Sequence, residues 1–600
     1  MSGPSPEQRN IIKDTSRIRI VRAAPGSGKT WLVGQIIKKE LETWNKPGGI
    51  AALSFTRVGG EEIRKAVGYE LDLPHFVGTL DSFLFRYIVK PFWNKIHPDY
   101  AKPRLVPAEN GAEKWTKTPE GEDLDKSKRH FNLLKITYSN VDSFNNEILT
   151  YKKQYGKGYE VISGGKYDWI RDEKRKFIKR SGWMTHADVA LSSYQILTNT
   201  QYGKRVSEHL ANRFPFFVID ELQDTSFFAG KTILEILSQS PSIRALLVGD
   251  PNQAIYEFNG ATPFLFNQFT TLGTPYSLKG SRRCPNNIAT VANSIIHNSM
   301  TPNDKISGRN ILMCYSDFER EIPHILQALN NLYRDRIVKF ITRSNKTVYS
   351  LKKDKNKEIS GLGCPALTLM SHAVQAFYQG NNVKAFGLAE SAISLWLFKY
   401  EGISEEDLSA KQIIYSEWEK LIVSCLLSCE KIDESLTYEK WQTEAGAKIE
   451  EDIKNSSLKS IIPKKHLKPT NYKIDRDKKN CDEQMTIFFP SIRKKLNAPA
   501  LQTIHSVKGQ THDATVLVVP PIGKGQSRCP SELWWSESSK DEEERRIAYV
   551  AMTRSQKDFY LVVSDRTAQN LAKKRQSFYD CFEVKNFKDV DSKKNDDELF

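Results

Sequence analysis

The chain of 600 residues contains no apolar run of about 18 residues, the length a membrane-spanning helix requires. Its opening stretch, MSGPSPEQRNIIKDTSR, lacks the apolar core of a secretory signal. Cysteine is sparse and scattered: eight residues, of which only Cys425 and Cys429 are close, and no Cys-x-x-Cys pair. That spacing argues against a zinc or iron–sulfur centre and suits reduced thiols in a cytoplasm. No internal repeat is present. These absences predict a cytoplasmic protein with no membrane partner. With 39% hydrophobic and 27% charged residues the chain reads as globular rather than disordered. Its length exceeds what one hydrophobic core can serve, so several units are expected.

Positive charge is plentiful. The formal charge of +16 and a pI near 9.2 favour a polyanionic partner, because Lys and Arg displace counterions from phosphates. Four short runs, IRIVRAA, IAALSF, FPFFVID and IRALLVGD, have strand character in the first 250 residues. IVKFITR, ATVLVVP and DFYLVVS form a later set. Runs of this kind separated by helical patterns predict two α/β units, each built on a parallel sheet. Ligands in such sheets bind beyond the carboxyl ends of the strands. Residues 23–30, 220–221 and 249–253 all follow strand runs, so they are expected to converge on one crevice. Residues from about 90 to 205 are basic, aromatic and largely helical in pattern. Residues from about 346 to 495 begin alanine-rich and helical and end in a lysine-rich loop.

The stretch AAPGSGKTW supplies the chemistry. A strand, a glycine turn and a helix start present backbone N–H groups to phosphate. Ala24, Pro25, Gly26, Ser27 and Gly28 would wrap the phosphates, Lys29 would neutralise them, and Thr30 would ligate Mg²⁺. In VIDELQD, Asp220 is the second expected Mg²⁺ ligand, and Glu221 is placed to take the proton of an attacking water.

Together with GTLDSF, ALSFTRVGGEEI and LKGSRRCPNNIATVAN, the segments AAPGSGKT, DELQD, GDPNQAIYEFNGA, TIHSVKG and EERRIAYVAMTR resemble, in order, the motifs of UvrD/Rep-type superfamily 1 DNA helicases. The resemblance implies an α/β fold with two RecA-like parallel-sheet motor domains, each interrupted by a mainly helical accessory subdomain. The expected divisions are 1–89 with 205–270 for the first motor domain and 271–345 with 495–580 for the second. Insertions fall at 90–204, a DNA-contacting segment, and 346–494, and a charged tail at 581–600.

The same resemblance implies an ATP-dependent helicase moving 3′ to 5′ on single-stranded DNA. Its cofactors would be ATP and Mg²⁺, and its partners single-stranded and tailed duplex DNA. Gln8 would read the adenine edge, and Gln223 and Gln253 would sense the γ-phosphate. Arg283 and Arg554 would serve as arginine fingers, and Gly509 would border the nucleotide. Phe55, Tyr256 and Phe258 would stack on bases, with Arg57, Thr79 and His505 near the DNA backbone.

Three positions depart from the family pattern. Thr511 stands where a glutamate near the ribose is usual, Arg282 where a tyrosine stacks on adenine, and Trp31 where an arginine is usual. The last two suggest an exchange, with Trp31 giving the aromatic face and Arg282 the cation of an adenine sandwich. The chain also resembles helicase subunits of bacterial antiphage defence systems such as Gabija. That implies an alternative role as a DNA-sensing ATPase partnered with a nuclease subunit.

Overall fold

The computed structural model describes residues 3–68, 71–106, 115–117, 130–141, 147–152, 159–162, 165–257, 261, 265–296, 300–344, 347–348, 365–378, 381–398, 403, 408, 411–433, 435–460, 501–521 and 542–586. The chain divides into two units. One holds Met1–Leu105, Trp115–Leu351 and Ala498–Phe600, and the other Val106–Lys114 and Lys352–Asn497.

The first unit carries two six-stranded sheets. Strands β1 (Ile18–Ala23), β2 (Ile50–Ser54), β3 (Phe76–Thr79), β4 (Phe216–Ile219), β5 (Arg244–Gly249) and β6 (Thr274–Leu278) lie in the order β6-β1-β5-β4-β2-β3, every pair parallel. Strands β7 (Asn310–Tyr315), β8 (Val338–Thr342), β9 (Leu501–Thr503), β10 (His512–Val518), β11 (Ser555–Ser564) and β12 (Glu583–Asn586) form the second, in the order β9-β8-β10-β11-β7-β12, also all parallel. Parallel strands need both faces covered, which is why the central runs of both sheets are continuously apolar. Alternate residues serve opposite cores: Phe217, Ile219, Ala245 and Leu247 point to one side of the first sheet. Phe216, Val218, Leu246 and Val248 point to the other, where α1 (Pro6–Lys13), α2 (Lys29–Glu42) and α3 (Arg57–Val67) pack.

Three expectations change. Strand β6 pairs with β1, so the first sheet extends beyond 270; its sequence TPYSL is a mostly polar edge strand with little apolar signal. Residues 583–586 are not part of a loose tail but an edge strand on β7; residues 587–600 lie outside the described set. The first insertion is mixed rather than largely helical. It contains helices Gly165–Ser181 and His186–Thr198 together with an antiparallel sheet of Ile136–Val141, Glu147–Lys152 and Tyr159–Val161. Its Ile136, Leu149, Ile170 and Ile178 share a core with Phe83 and Phe217, and one helical run from Leu80 to Ile96 crosses the expected boundary at 89/90.

The second unit is helical where described. Pro365–Tyr378, Asn382–Phe398, Tyr415–Glu430 and Tyr438–Asn455 pack around Met370, Trp418, Trp441 and Ile449. No helix among the described residues is long and apolar enough to cross a membrane.

Candidate functional site

Residues 24–28 leave β1 at its carboxyl end and curl into α2. Gly26 (φ +71°) and Gly28 (φ +83°) adopt left-handed backbone that disfavours any side chain. A Cβ on Gly26 would also stand 2.5 Å from the Cβ of Arg283. The loop is covered by the segment after β6: Ser281 Oγ donates to the Pro25 carbonyl at 2.8 Å, and the Arg282 N–H donates to that of Gly26 at 2.8 Å. The resulting cleft, about 310 Å³, is lined by residues 25–31, Glu62, Glu221, Gln253, Arg282, Arg283, Lys508, Gly509, Thr511, Arg554 and Gln556.

The acids follow β4 and the glutamines follow β4 and β5, so one sheet edge delivers them all. Lys29 Nζ lies 3.2 Å from Glu221 Oε1. Glu221 has φ +54°, unusual for a residue with a side chain, and its N–H donates to Asp220 Oδ1 at 2.9 Å. Burial and the neighbouring Glu221 push the Asp220 carboxyl up to about 7. Burial would also raise Glu221, but the ammonium groups of Lys29 and Lys508 outweigh it and hold it down, at about 2. Glu221 is therefore ionised at neutral pH, as a proton acceptor must be. Gln223 Nε2 donates to Glu221 while its Oε1 accepts the Asp250 N–H at 2.9 Å. Gln253 Nε2 donates to Asp250 Oδ2 at 2.7 Å.

Arg554, just before β11 of the second sheet, donates from Nη2 to Gln253 Oε1 at 3.0 Å, and Arg283, after β6, donates from Nη1 to the Thr553 carbonyl at 3.2 Å. Burial and the charge of Arg283 lower Arg554 to about 9, which leaves it protonated near neutrality. Lys29, Glu221, Gln253 and both arginines thus meet across one cleft.

Trp31 and Arg282 also meet, though not as a sandwich. The Arg282 guanidinium carbon sits 5.6 Å from the Trp31 ring centroid and its Nη2 donates to Gln8 Oε1 at 2.8 Å. A base between them needs about 7 Å, two contact distances of roughly 3.5 Å. Gln8, almost fully buried, accepts from the Ser5 N–H as well and donates to the Ser27 carbonyl at 3.0 Å.

Among the expected DNA contacts, Phe55 and Tyr256 lie with ring centroids 5.2 Å apart. Arg57 is exposed at the start of α3, and Thr79 Oγ1 caps the next helix by accepting the Ser82 N–H at 3.2 Å. His505 is half-buried, with its Nε2 3.1 Å from the Ile255 carbonyl. Burial and the charge of Arg343 push it down to about 4. Phe258 lies outside the described residues. Sequence reasoning missed Lys508, which donates to Asp224 Oδ2 at 2.5 Å and stands 4.5 Å from the Tyr256 ring centroid. It also missed Arg546, Glu62 and Gln556. Lys508 and Arg546 lie inside the recognised segments TIHSVKG and EERRIAYVAMTR, and that was the available signal.

A phosphate loop on one parallel sheet, completed by Arg283 from the segment after β6 and by Arg554 from the edge of a second sheet, defines a tandem-sheet nucleoside triphosphatase. Residues 4–272 match the model of the UvrD/REP helicase N-terminal domain, and residues 490–566 that of the UvrD-like helicase C-terminal domain, together more than half of the chain. The chain belongs to the UvrD/Rep family of ATP-dependent DNA helicases. It is 20% identical to the ATP-dependent DNA helicase Rep of Buchnera aphidicola subsp. Acyrthosiphon pisum, over 94% of this chain and 95% of that one. It is 25% identical to the Gabija protein GajB of Bacillus cereus (strain VD045), over 58% of this chain and 61% of GajB. DNA helicase II of Escherichia coli (strain K12) is 22% identical over 49% of this chain and 40% of its own.

Proposed function

We propose that the chain is an ATP-driven motor that moves 3′ to 5′ along single-stranded DNA and unwinds the duplex it meets. The observation that carries this reading is that Arg554, from the second sheet's side, and Arg283, from the segment that leaves β6, face Lys29, Glu221 and Gln253 in one cleft. Hydrolysis then needs both halves together, and product release lets them part. Lys29 binds the β- and γ-phosphates, leaving Glu221 to accept the proton of the attacking water. Arg283 and Arg554 balance charge developing on the transferred phosphoryl group. Gln223 and Gln253 link that group to the loop carrying Tyr256. Trp31 and Arg282 border the base, and Gly509 the sugar side of the cleft.

The two-ligand set Thr30 and Asp220 suits Mg²⁺, which takes few protein oxygens and completes its shell with phosphate and water. Asp220 is buried beside Glu221, and a carboxylate so placed gains from a cation next to it. Bound there, Mg²⁺ would supply charge neutralisation at the phosphate oxygens. Phe55, Tyr256 and Phe258 stack on bases, with Arg57 and Thr79 toward the phosphates. Polarity rests on the family resemblance. A motor of this kind works on cytoplasmic DNA.

The similarity to GajB favours a second reading, a DNA-sensing ATPase that works with a nuclease subunit in antiphage defence and unwinds weakly alone. Strand displacement by the purified chain separates the two. Robust unwinding supports the first; DNA-stimulated hydrolysis without unwinding supports the second.

A further inference from the structure

The first insertion encloses a cavity of about 370 Å³ that the nucleotide cleft does not share. That volume falls in the range of small-molecule sites. Its walls come from helix Lys90–Ile96 and the turn after it, strands Ile136–Val141 and Glu147–Lys152, and helices Gly165–Ser181 and His186–Thr198. One wall is aromatic: the Trp93 ring centroid lies 4.2 Å from that of His97 and 5.6 Å from that of Tyr100. Asn94 holds this turn in place by donating Nδ2 to the Tyr100 carbonyl at 2.6 Å. Buried Leu149 and Leu191 continue the lining.

Two buried charges in the lining are already engaged. Lys174 Nζ donates to the Leu133 carbonyl at 2.7 Å and pairs with Asp188 at 3.1 Å, and the Tyr138 hydroxyl donates to Asp188 at 2.8 Å. Two other lining groups are not. Trp93, 5% exposed, has its Nε1 buried without a hydrogen-bond partner. Ser192, 4% exposed, makes no hydrogen bond to a described residue, whereas Ser193 Oγ beside it donates to the Val189 carbonyl at 2.8 Å. A buried donor left so costs stability unless something accepts from it. Arg171 and Arg175, one helical turn apart, also line the cavity. Arg175 is half-exposed, and its 3.4 Å contact with Glu147 is long for a charged pair. Arg171 pairs at 2.9 Å with Asp168, which is largely exposed. Ion pairs this exposed are weak, so both guanidinium groups can turn to an anion. Three cations against two carboxylates leave the lining positive.

We propose that this cavity is a second ligand site, which takes a free nucleoside monophosphate. The base lies among Tyr100, Leu149 and Leu191, where a ring nitrogen or carbonyl accepts from Trp93 Nε1 and Ser192 Oγ meets a polar edge. The phosphate sits on the Arg171–Arg175 pair, whose forked donors match its oxygens. A hydrocarbon ring would leave the indole N–H unsatisfied, and an inorganic anion would leave the apolar walls empty. A nucleotide answers both. Bound there, it braces helix Lys90–Ile96 against helix Gly165–Ser181. The proposal does not depend on the motor reading.

Calorimetric titration of the full chain with AMP, GMP, CMP and dTMP tests it, with adenosine and inorganic phosphate as half-ligands. At least one monophosphate should bind with a Kd below about 1 mM, and adenosine and phosphate should each bind about tenfold or more weakly than it does. The same site should persist in Gly26→Ala, which alters only the phosphate loop. In Ser192→Leu, which puts a larger side chain into the cavity, affinity should fall about tenfold or more. Trp93→Phe keeps a ring but not the donor, so it should weaken binding about five- to tenfold at a wild-type Tm. Arg175→Gln should weaken it by a similar factor. No binding below about 1 mM by any monophosphate overturns the proposal. So does binding that survives Ser192→Leu but is lost in Gly26→Ala, which would place the ligand in the nucleotide cleft. Displacement of the monophosphate by an oligothymidylate would make the ligand a strand rather than a free nucleotide, and overturns it as well. Should Ser192→Leu fail to fold, Trp93→Phe decides: weakened binding upholds the site, and wild-type affinity overturns it.

Discussion

Replacing Trp31 by alanine probes the part of the nucleotide site where this chain departs most from its family. The indole lies directly after Thr30 at the cleft wall, half-buried, with Arg282 over its face at 5.6 Å. Stacking of a base on an aromatic ring is worth about 1–3 kcal/mol by alanine substitution. A base that takes the Trp31 face must first displace the guanidinium, which gives back roughly 0.5–1 kcal/mol of cation–π attraction. Arg282 Nη2 donates to the Gly3 carbonyl at 3.1 Å and to Gln8 Oε1 at 2.8 Å, acceptors that lie off the ring face. At mid-range the net loss is about 1.3 kcal/mol, or a rise of roughly tenfold in the KM for ATP. Lys29, Glu221 and the arginines are untouched, so kcat should hold within about twofold, the signature of lost uniform binding. Initial rates across an ATP range with saturating single-stranded DNA measure both constants, and Trp31→Phe, which keeps a ring face, should fall between wild type and alanine. An unchanged KM in Trp31→Ala refutes the assignment of Trp31 to the base.

Other outcomes follow from the same geometry. Glu221→Gln keeps the side chain's size but not its proton-accepting charge, so turnover should fall at least about a hundredfold while a fluorescent ATP analogue still binds; substantial residual turnover removes Glu221 as the base. Gly26→Ala places a methyl group 2.5 Å from Arg283 Cβ on left-handed backbone, so nucleotide binding should be lost in a protein whose circular dichroism is native; intact binding would mean that the loop is not the phosphate cradle. His512 is almost fully buried and pushed down to about 3 by burial and Arg554. Its folded value lies below the unfolded value near 6.5, so its stability contribution is full above that and is lost as pH falls toward 3. The loss between pH 7.5 and 5 should be about 2 kcal/mol, and His512→Gln should show that much less acid sensitivity in urea unfolding; an identical pH dependence in the two proteins contradicts the assignment.

The central strands were legible because each is buried on both faces and therefore continuously apolar. IAALS became β2, FFVI became β4 and RALLVG became β5. The cleft was legible for a related reason: its residues follow those strands, and parallel sheets deliver their carboxyl ends to one edge. The edge strands β6 and β12 were not legible, since a strand paired on one side tolerates TPYSL or EVKN. The antiparallel sheet of the first insertion was hidden in a stretch whose basic residues suggested a helix face. Contacts that join the halves were the least legible. Lys508, Arg546 and His505 each find a backbone carbonyl about 250 residues or more away, and a carbonyl leaves no mark in the sequence. The contact of His505 with the Ile255 carbonyl belongs to that class, as does the approach of the Arg282 guanidinium to the Trp31 ring.

One measurement tests the motor most directly: ATP hydrolysis and strand displacement by the full chain on duplexes carrying a 3′ tail, a 5′ tail or no tail. A motor closing on Arg283 and Arg554 and moving 3′ to 5′ should hydrolyse ATP many times faster with a tail than without, and should release the strand only from the 3′-tailed duplex. Hydrolysis indifferent to DNA, or displacement from the 5′-tailed duplex alone, would contradict it.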